Sequence, residues 1–219
     1  MSGKRTLATR QRNRVFEAYR SRGRANRNLW LVYSIKTDRD WILQSDLHLV
    51  HWISFLEVDP NVVTFEIGSD PPDPGVDAVA RMKDGSSEKH RITSMIDLPA
   101  TDELLSTSTI DSKRTQQIRY FQEGDLRPLS LEAMRWLKVV CYGATIRGER
   151  QHQATTSVLG TMMTSGAGKI RDVLDYSPNF DIQIIYAVIA RAAIKGDISL
   201  DLSREGFTTE TNWIWRARL

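Results

Sequence analysis

Residues 45–67, SDLHLVHWISFLEVDPNVVTFEI, constrain the fold more than any other stretch. Ser45 is placed to cap a helix, and Leu47, Val50, Trp52 or Ile53, and Leu56 then recur near helical spacing. Asp59–Pro60 stops that run, because a residue preceding proline is driven out of the helical region. The period then changes from helical to alternating, and NVVTFEIG (61–68) reads as a strand. SDPPDPG (69–75) is too rich in proline to be anything but loop. Residues 76–96 read as a hairpin: a strand over 76–82, a turn at Lys83-Asp84-Gly85-Ser86, and a return strand over 88–96. A further strand, NLWLVYSIKT (28–37), precedes the helix. The order predicts an α/β fold, a small mixed sheet flanked by helices.

After Pro99 the texture changes. Residues 100–122 are polar and read as helical in part; 130–144 reads as a helix capped at Ser130; 151–174 holds one or two helices. DIQIIYAVIARAAIKGDI (181–198) is a strong helix stopped at Gly196, followed by short strands around a turn. A helix followed by a small hairpin has the shape of a winged-helix-like module. A chain of 219 residues with 41% hydrophobic content can form one sizeable domain or two small ones. The expected organisation is a basic arm (1–27), an α/β domain (28–120) and a mostly helical C-terminal domain (121–219), with a soft boundary near 100–125.

Charge is unevenly spread. Residues 1–27 carry nine basic side chains, including Arg10, Arg12, Arg14, Arg20, Arg22, Arg24 and Arg27, against the single acid Glu17. The rest of the chain carries 21 basic against 26 acidic residues, so a mildly acidic body bears a cationic arm. Guanidinium groups grip phosphate oxygens in bidentate fashion and release counterions, which points to a nucleic acid as a partner; the alternative is a solvated tail that only aids solubility. No apolar run of the ~18 residues needed to span a bilayer occurs, so no membrane partner is expected. The basic N-terminus lacks an apolar segment, and no secretory leader is expected. Cys141 is the single cysteine, so an intracellular, cytoplasmic setting fits.

Several constellations carry little chemistry. TSGAGKI (164–170) has Met163 and Ile170 where a phosphate-binding loop needs glycine and Ser or Thr, and it reads as a turn. His48 and His51, three apart on one helix face, could start a zinc site, but His90 and His152 lie in unrelated segments. Cys141 reads as a small hydrophobe in an apolar helix, with no base beside it. Trp30, Trp41, Trp52 and Trp136 read as core, and Trp213 and Trp215 are expected to split, one facing in and one out.

The series LQSDLHLVHWISFLEVDPNVVTFEI, a proline loop and GVDAVARMKDGSSEKHRI resembles the TnsA family, the endonuclease subunit of heteromeric transposases. The closing IIYAVIARAAIKGDISLDLSREGFTTETNWIW is similar to that family's final helix and hairpin, so the resemblance covers most of the chain beyond residue 28. It implies a restriction-endonuclease-like sheet followed by a winged-helix-like domain, DNA binding, and a transposase or ATPase subunit of a mobile element as partner. Carried over by position, the first catalytic glutamate falls on His48, the strand glutamine on Gly68 and the catalytic aspartate on Asp77. The return-strand glutamate and lysine fall on Arg91 and Thr93; a looser alignment puts Glu88 and His90 there. A hard cation needs several oxygen ligands, and Asp77 alone supplies too little charge. The resemblance therefore implies a degenerate site that needs no cofactor. The alternative is an active nuclease holding Mg²⁺ or Mn²⁺ on Asp77 and Glu88, with Lys89 or His90 assisting water. Glu57 and Glu66 are further carboxylates that could rescue a metal site. A third reading is a protein–protein adaptor that keeps the fold alone.

Overall fold

The computed structural model describes residues 20, 28–68, 75–93, 118–149, 151–204 and 206–216. β1 (Trp30–Ser34) and β2 (Arg39–Leu43) form an antiparallel hairpin. Only the first strand was legible in sequence, because the turn carries no glycine. Asp38 takes the left-handed conformation instead, at φ 52°, and its carboxylate accepts a hydrogen bond from Tyr33. α1 (Asp46–His51) begins at Ser45 as expected. It continues into a wider turn, Trp52–Glu57, in which the Val58 N–H reaches back to the Ile53 carbonyl at 3.0 Å. Leu49, Trp52, Ile53 and Leu56 from this continuous helix are buried.

The larger sheet has the order β3-β4-β5-β6. β3 (Val62–Ile67), β4 (Ala78–Met82) and β5 (Ser87–Thr93) are antiparallel neighbours, and β6 (Ile118–Gln122) runs parallel to β5. The β6 strand corrects the partly helical reading of 100–122 over residues 118–122. Tyr120 and Phe121 favour extended backbone, and pairing with β5 decides it. On the core face Phe65, Ala78, Ala80, His90 and Phe121 are buried, in period two with exposed or half-buried partners.

β6 leads through α2 (Glu123–Leu126) and a tight turn at Arg127–Leu129 into α3 (Ser130–Ala144). Ser130 does not cap α3; its hydroxyl donates to the Arg127 carbonyl at 2.8 Å, since the preceding turn already feeds the helix. Then follow α4 (His152–Ser165), β7 (Ala167–Lys169), α5 (Ile170–Asp175), α6 (Ile182–Lys195), β8 (Ile198–Leu200) and β9 (Asn212–Trp215). These three strands pair antiparallel in the order β7-β9-β8. The stretch 164–170 is thus not a simple turn: Gly166, at φ 72°, ends α4, and Ala167–Lys169 joins a sheet.

α6 is capped by Asp181, whose side chain accepts from the Gln183 N–H, and ends at left-handed Gly196. It is buried continuously from Ile185 to Ala190 and packed against α3. Trp213 is buried and Trp215 partly so, both packed on the core, while Ile214 faces out at 58% exposure; residues two apart on a strand share a face. Cys141 also departs from expectation: it is exposed on α3, whose apolar side Val139 and Val140 already occupy. Trp52 is fully buried, and Trp30, Trp41 and Trp136 pack partly buried against the core.

One hydrophobic cluster runs through both halves. Gly143 on α3 marks the join, because a Cβ there would lie 2.3 Å from Ile35 Cδ1 and 3.5 Å from Arg191 Cγ. Gly143→Ala should therefore destabilise the protein by ~1–3 kcal/mol, the usual cost of overpacking. Urea denaturation reads it, and an unchanged midpoint would show that Ile35 yields freely. Among the described residues no helix is long and apolar enough to cross a membrane.

Candidate functional site

Two polar networks lie between α1 and the sheet. The first is built on Ser45, whose Oγ accepts from the His48 N–H at 3.3 Å and sits 2.7 Å from His48 Nδ1. The hydroxyl donates to Nδ1, which leaves the proton of a neutral imidazole on Nε2. That Nε2 faces Asp77 Oδ1 at 3.8 Å, an ion-pair distance. The other Asp77 oxygen, Oδ2, accepts from the Ile92 N–H at 2.6 Å. Asp77 stands just before β4, held on both sides: its carbonyl accepts from the Gly68 N–H and its N–H donates to the His90 carbonyl, each at 2.8 Å.

The β4–β5 ladder pairs Ala78 with His90, which sets Asp77 opposite Arg91. Gly75, at φ 119°, lets the Arg91 guanidinium approach; a Cβ there would lie 2.9 Å from it. Burial alone would raise the Asp77 pKa, but His48, the Ile92 N–H and Arg91 together hold it below the usual carboxylate value.

The second network was not foreseen. His51 Nε2 lies 3.1 Å from His90 Nδ1, and His90 Nε2 lies 3.3 Å from Glu88 Oε2. Arg119 on β6 approaches the same Glu88 oxygen at 3.6 Å and covers the rings of Phe121 and Phe55. The Glu88 carboxylate accepts a hydrogen bond from His90 Nε2–H, so His90 Nδ1 accepts from His51. Burial pushes the His51 pKa well below the ordinary histidine value, and His90, His48 and Arg119 push the same way. Burial also lowers His90, against the pull of Glu88. The period-two position of His90 on the core face was the one signal in sequence; its partner on α1 required the fold.

The residues expected from sequence thus separate. His48, Asp77 and Arg91 come together, and Thr93 lies two residues further along β5. Glu88 and His90 belong to the other network. Glu88 stands opposite Ala80, three ladder steps from Asp77, about 10 Å along a strand. Lys89 stands opposite Val79. Glu57 is fully buried and accepts from Ser34 Oγ at 2.6 Å and the Ile35 N–H at 2.7 Å, so it braces the β1–β2 hairpin. Glu66 pairs with Arg39. His48 and His51 do not share a ligand, because each turns to a different strand. Gly68 ends β3 with φ 76°. Of the arm arginines only Arg20 is among the described residues, and it is exposed; Arg10, Arg12, Arg14, Arg22, Arg24 and Arg27 lie outside them.

The donor set around Asp77 does not fit a hard divalent cation: an imidazole, a guanidinium and a peptide N–H surround one carboxylate. Among the described residues no group of three His, Cys, Asp or Glu side chains is disposed to hold a metal. No family model, curated protein or solved structure matches the chain.

Proposed function

We propose that this chain is a TnsA-like component of a transposition machinery that binds DNA without cutting it. The observation that carries this reading is the state of Asp77. One oxygen takes the Ile92 N–H and the other faces the His48 imidazole, with Arg91 beside them. The positions that the family resemblance pairs for metal binding do converge, but with an imidazole and a guanidinium where carboxylates are needed. A helix followed by three antiparallel strands and a fourth parallel one supports the restriction-endonuclease-like reading.

The C-terminal order α4-β7-α5-α6-β8-β9, with strand order β7-β9-β8, supports the winged-helix-like reading. Its third helix, α6, is buried under α3 and has little free face to offer a DNA groove. DNA contact in this reading falls to the basic arm, and any cutting to a transposase partner.

Two measurements test the proposal. Duplex DNA affinity should fall with salt, and deleting residues 1–27 should flatten the slope by ~0.9 log unit for each phosphate that the arm neutralises. Supercoiled and branched DNA should stay intact in Mg²⁺ and in Mn²⁺. Cleavage that disappears in Asp77→Ala would make the chain a live nuclease.

A further inference from the structure

Ser45, His48 and Asp77 form a chain of contacts that DNA binding does not use. The Ser45 hydroxyl donates to His48 Nδ1 at 2.7 Å, and the opposite ring nitrogen, Nε2, faces Asp77 Oδ1 at 3.8 Å. Asp77 is itself held, because its other oxygen accepts from the Ile92 N–H at 2.6 Å. A hydroxyl, an imidazole within reach of its proton and a carboxylate that orients the imidazole are the three parts of an activated serine, whatever their order in the chain. Helix capping asks only for the His48 N–H bond to Oγ, and that bond is long at 3.3 Å; the shorter contact is the one to the ring.

The array is open to a substrate. The side chains of His48 and Asp77 are 26% and 33% exposed, and Ser45 is half-buried. The N–H groups of Asp46 and Leu47 precede the first intrahelical bond, which runs from the Leu49 N–H to the Ser45 carbonyl, so they have no acceptor inside the helix. The carboxylate of Asp46, next to Ser45 in the chain, meets Asn28 Nδ2 and Trp30 Nε1, both neutral donors. Its uncompensated charge repels a phosphodiester and favours an uncharged acyl group.

We infer that Ser45 is a nucleophile for acyl transfer from uncharged esters, with His48 as its general base and Asp77 as the residue that positions His48. Oγ attacks the ester carbonyl carbon as its proton passes to His48 Nδ1, and the Asp46 and Leu47 N–H groups are the donors for the oxyanion that forms. Collapse of the adduct breaks the bond to the leaving alkoxide, which takes the proton from Nδ1 and departs as the alcohol. Water then attacks the acyl-serine and gives its proton to the same nitrogen. The carboxylic acid leaves, and the proton returns to Oγ. The inference goes beyond the DNA-binding reading and shares with it only His48 and Asp77.

The full-length protein is incubated with an alkyl fluorophosphonate ester, which phosphonylates activated serines, and the label is mapped by peptide mass spectrometry. Hydrolysis of p-nitrophenyl acetate is followed in parallel. Label on Ser45 and saturable hydrolysis are expected. Ser45→Asn keeps a capping side chain, so the helix still forms, and it should lose both signals. His48→Ala should slow labelling ~100-fold or more, and added imidazole should restore part of the rate. Asp77→Asn should lower the maximal labelling rate about tenfold at an unchanged half-saturating concentration of reagent, the mark of a group that orients the base and does not bind the reagent. Absence of label from Ser45, labelling as fast in His48→Ala, or hydrolysis that survives Ser45→Asn would each overturn the inference. Metal-dependent DNA cleavage does not pass through the Ser45 hydroxyl, so Ser45→Asn separates failure of this inference from failure of the DNA-binding reading.

Discussion

Acidification from pH 7 to pH 5 should cost the folded protein stability at up to ~1.4 kcal/mol per pH unit for each histidine that stays neutral. His51 is the main source. It is 2% exposed and donates to His90 within a cage of Phe55 and Phe121, so its proton affinity is low in the folded state. In the unfolded chain it titrates near ~6.5. Between that value and its lower folded value the unfolded state binds the extra proton, and stability falls as pH falls through this window. His90, lowered to a lesser degree by burial, adds in the same direction.

Asp77 acts elsewhere. Its folded pKa is depressed, so its contribution is present above the unfolded carboxylate value and is lost only at more acid pH. Urea denaturation across pH 5–8 would show the slope in the parent and a flatter one in His51→Phe. A parent protein equally stable at both ends of that range would refute the assignment. The His51→Phe variant leaves His90 Nδ1 without its donor, so some loss at pH 7 is also expected, ~1–3 kcal/mol.

Replacement of Glu57 should be the most damaging single change among the polar residues. Its carboxylate is 0% exposed and is the acceptor for both the Ser34 hydroxyl and the Ile35 N–H. Lys36 stands beside it, with Nζ donating to the Leu56 carbonyl at 2.9 Å and also to the Asp59 carbonyl, at 2.5 Å. Burial drives the Lys36 pKa down to about 8 and raises that of Glu57. Glu57→Ala strands two buried donors and removes the charge that Lys36 faces, a loss of ~3–5 kcal/mol. Glu57→Gln keeps one good acceptor and should cost less, ~1–2 kcal/mol. Thermal and urea unfolding of the two variants rank them; a loss below ~1 kcal/mol for Glu57→Ala would mean that water replaces the carboxylate. The same residue had looked from sequence like a spare metal ligand. Burial against the β1–β2 hairpin, where its partner Ser34 lies 23 residues away in the chain, is what gives it a structural duty instead.

The elements whose information is local were legible in the sequence. Ser45 and Asp181 announce helix starts, Gly196 a helix stop, and the change of period after Pro60 a strand, because caps and periodicity depend on neighbours a few residues away. The β4–β5 hairpin was legible for the same reason, but its register was not: the Met82 N–H bonds the Ser86 carbonyl, so the loop is one residue shorter than the turn read from sequence, and Asp77 falls opposite Arg91. Elements decided by distant partners were not legible. The turn at Asp38 carries no glycine, β6 becomes a strand only beside β5, and Cys141 is exposed because Val139 and Val140 take the buried side of α3.

The candidate site divides along the same line. That Asp77 lacks a carboxylate partner at position 48 is a property of the sequence. That His48 fills the gap itself, while the Ile92 N–H takes the second oxygen, is decided by packing α1 across the sheet. His51 and His90 are 39 residues apart, and neither carries a local mark of the other. Only a tertiary contact brings two buried imidazoles to hydrogen-bond distance, because the burial that does most to keep them neutral there is supplied by the surrounding core, with His48 and Arg119 adding to it at His51.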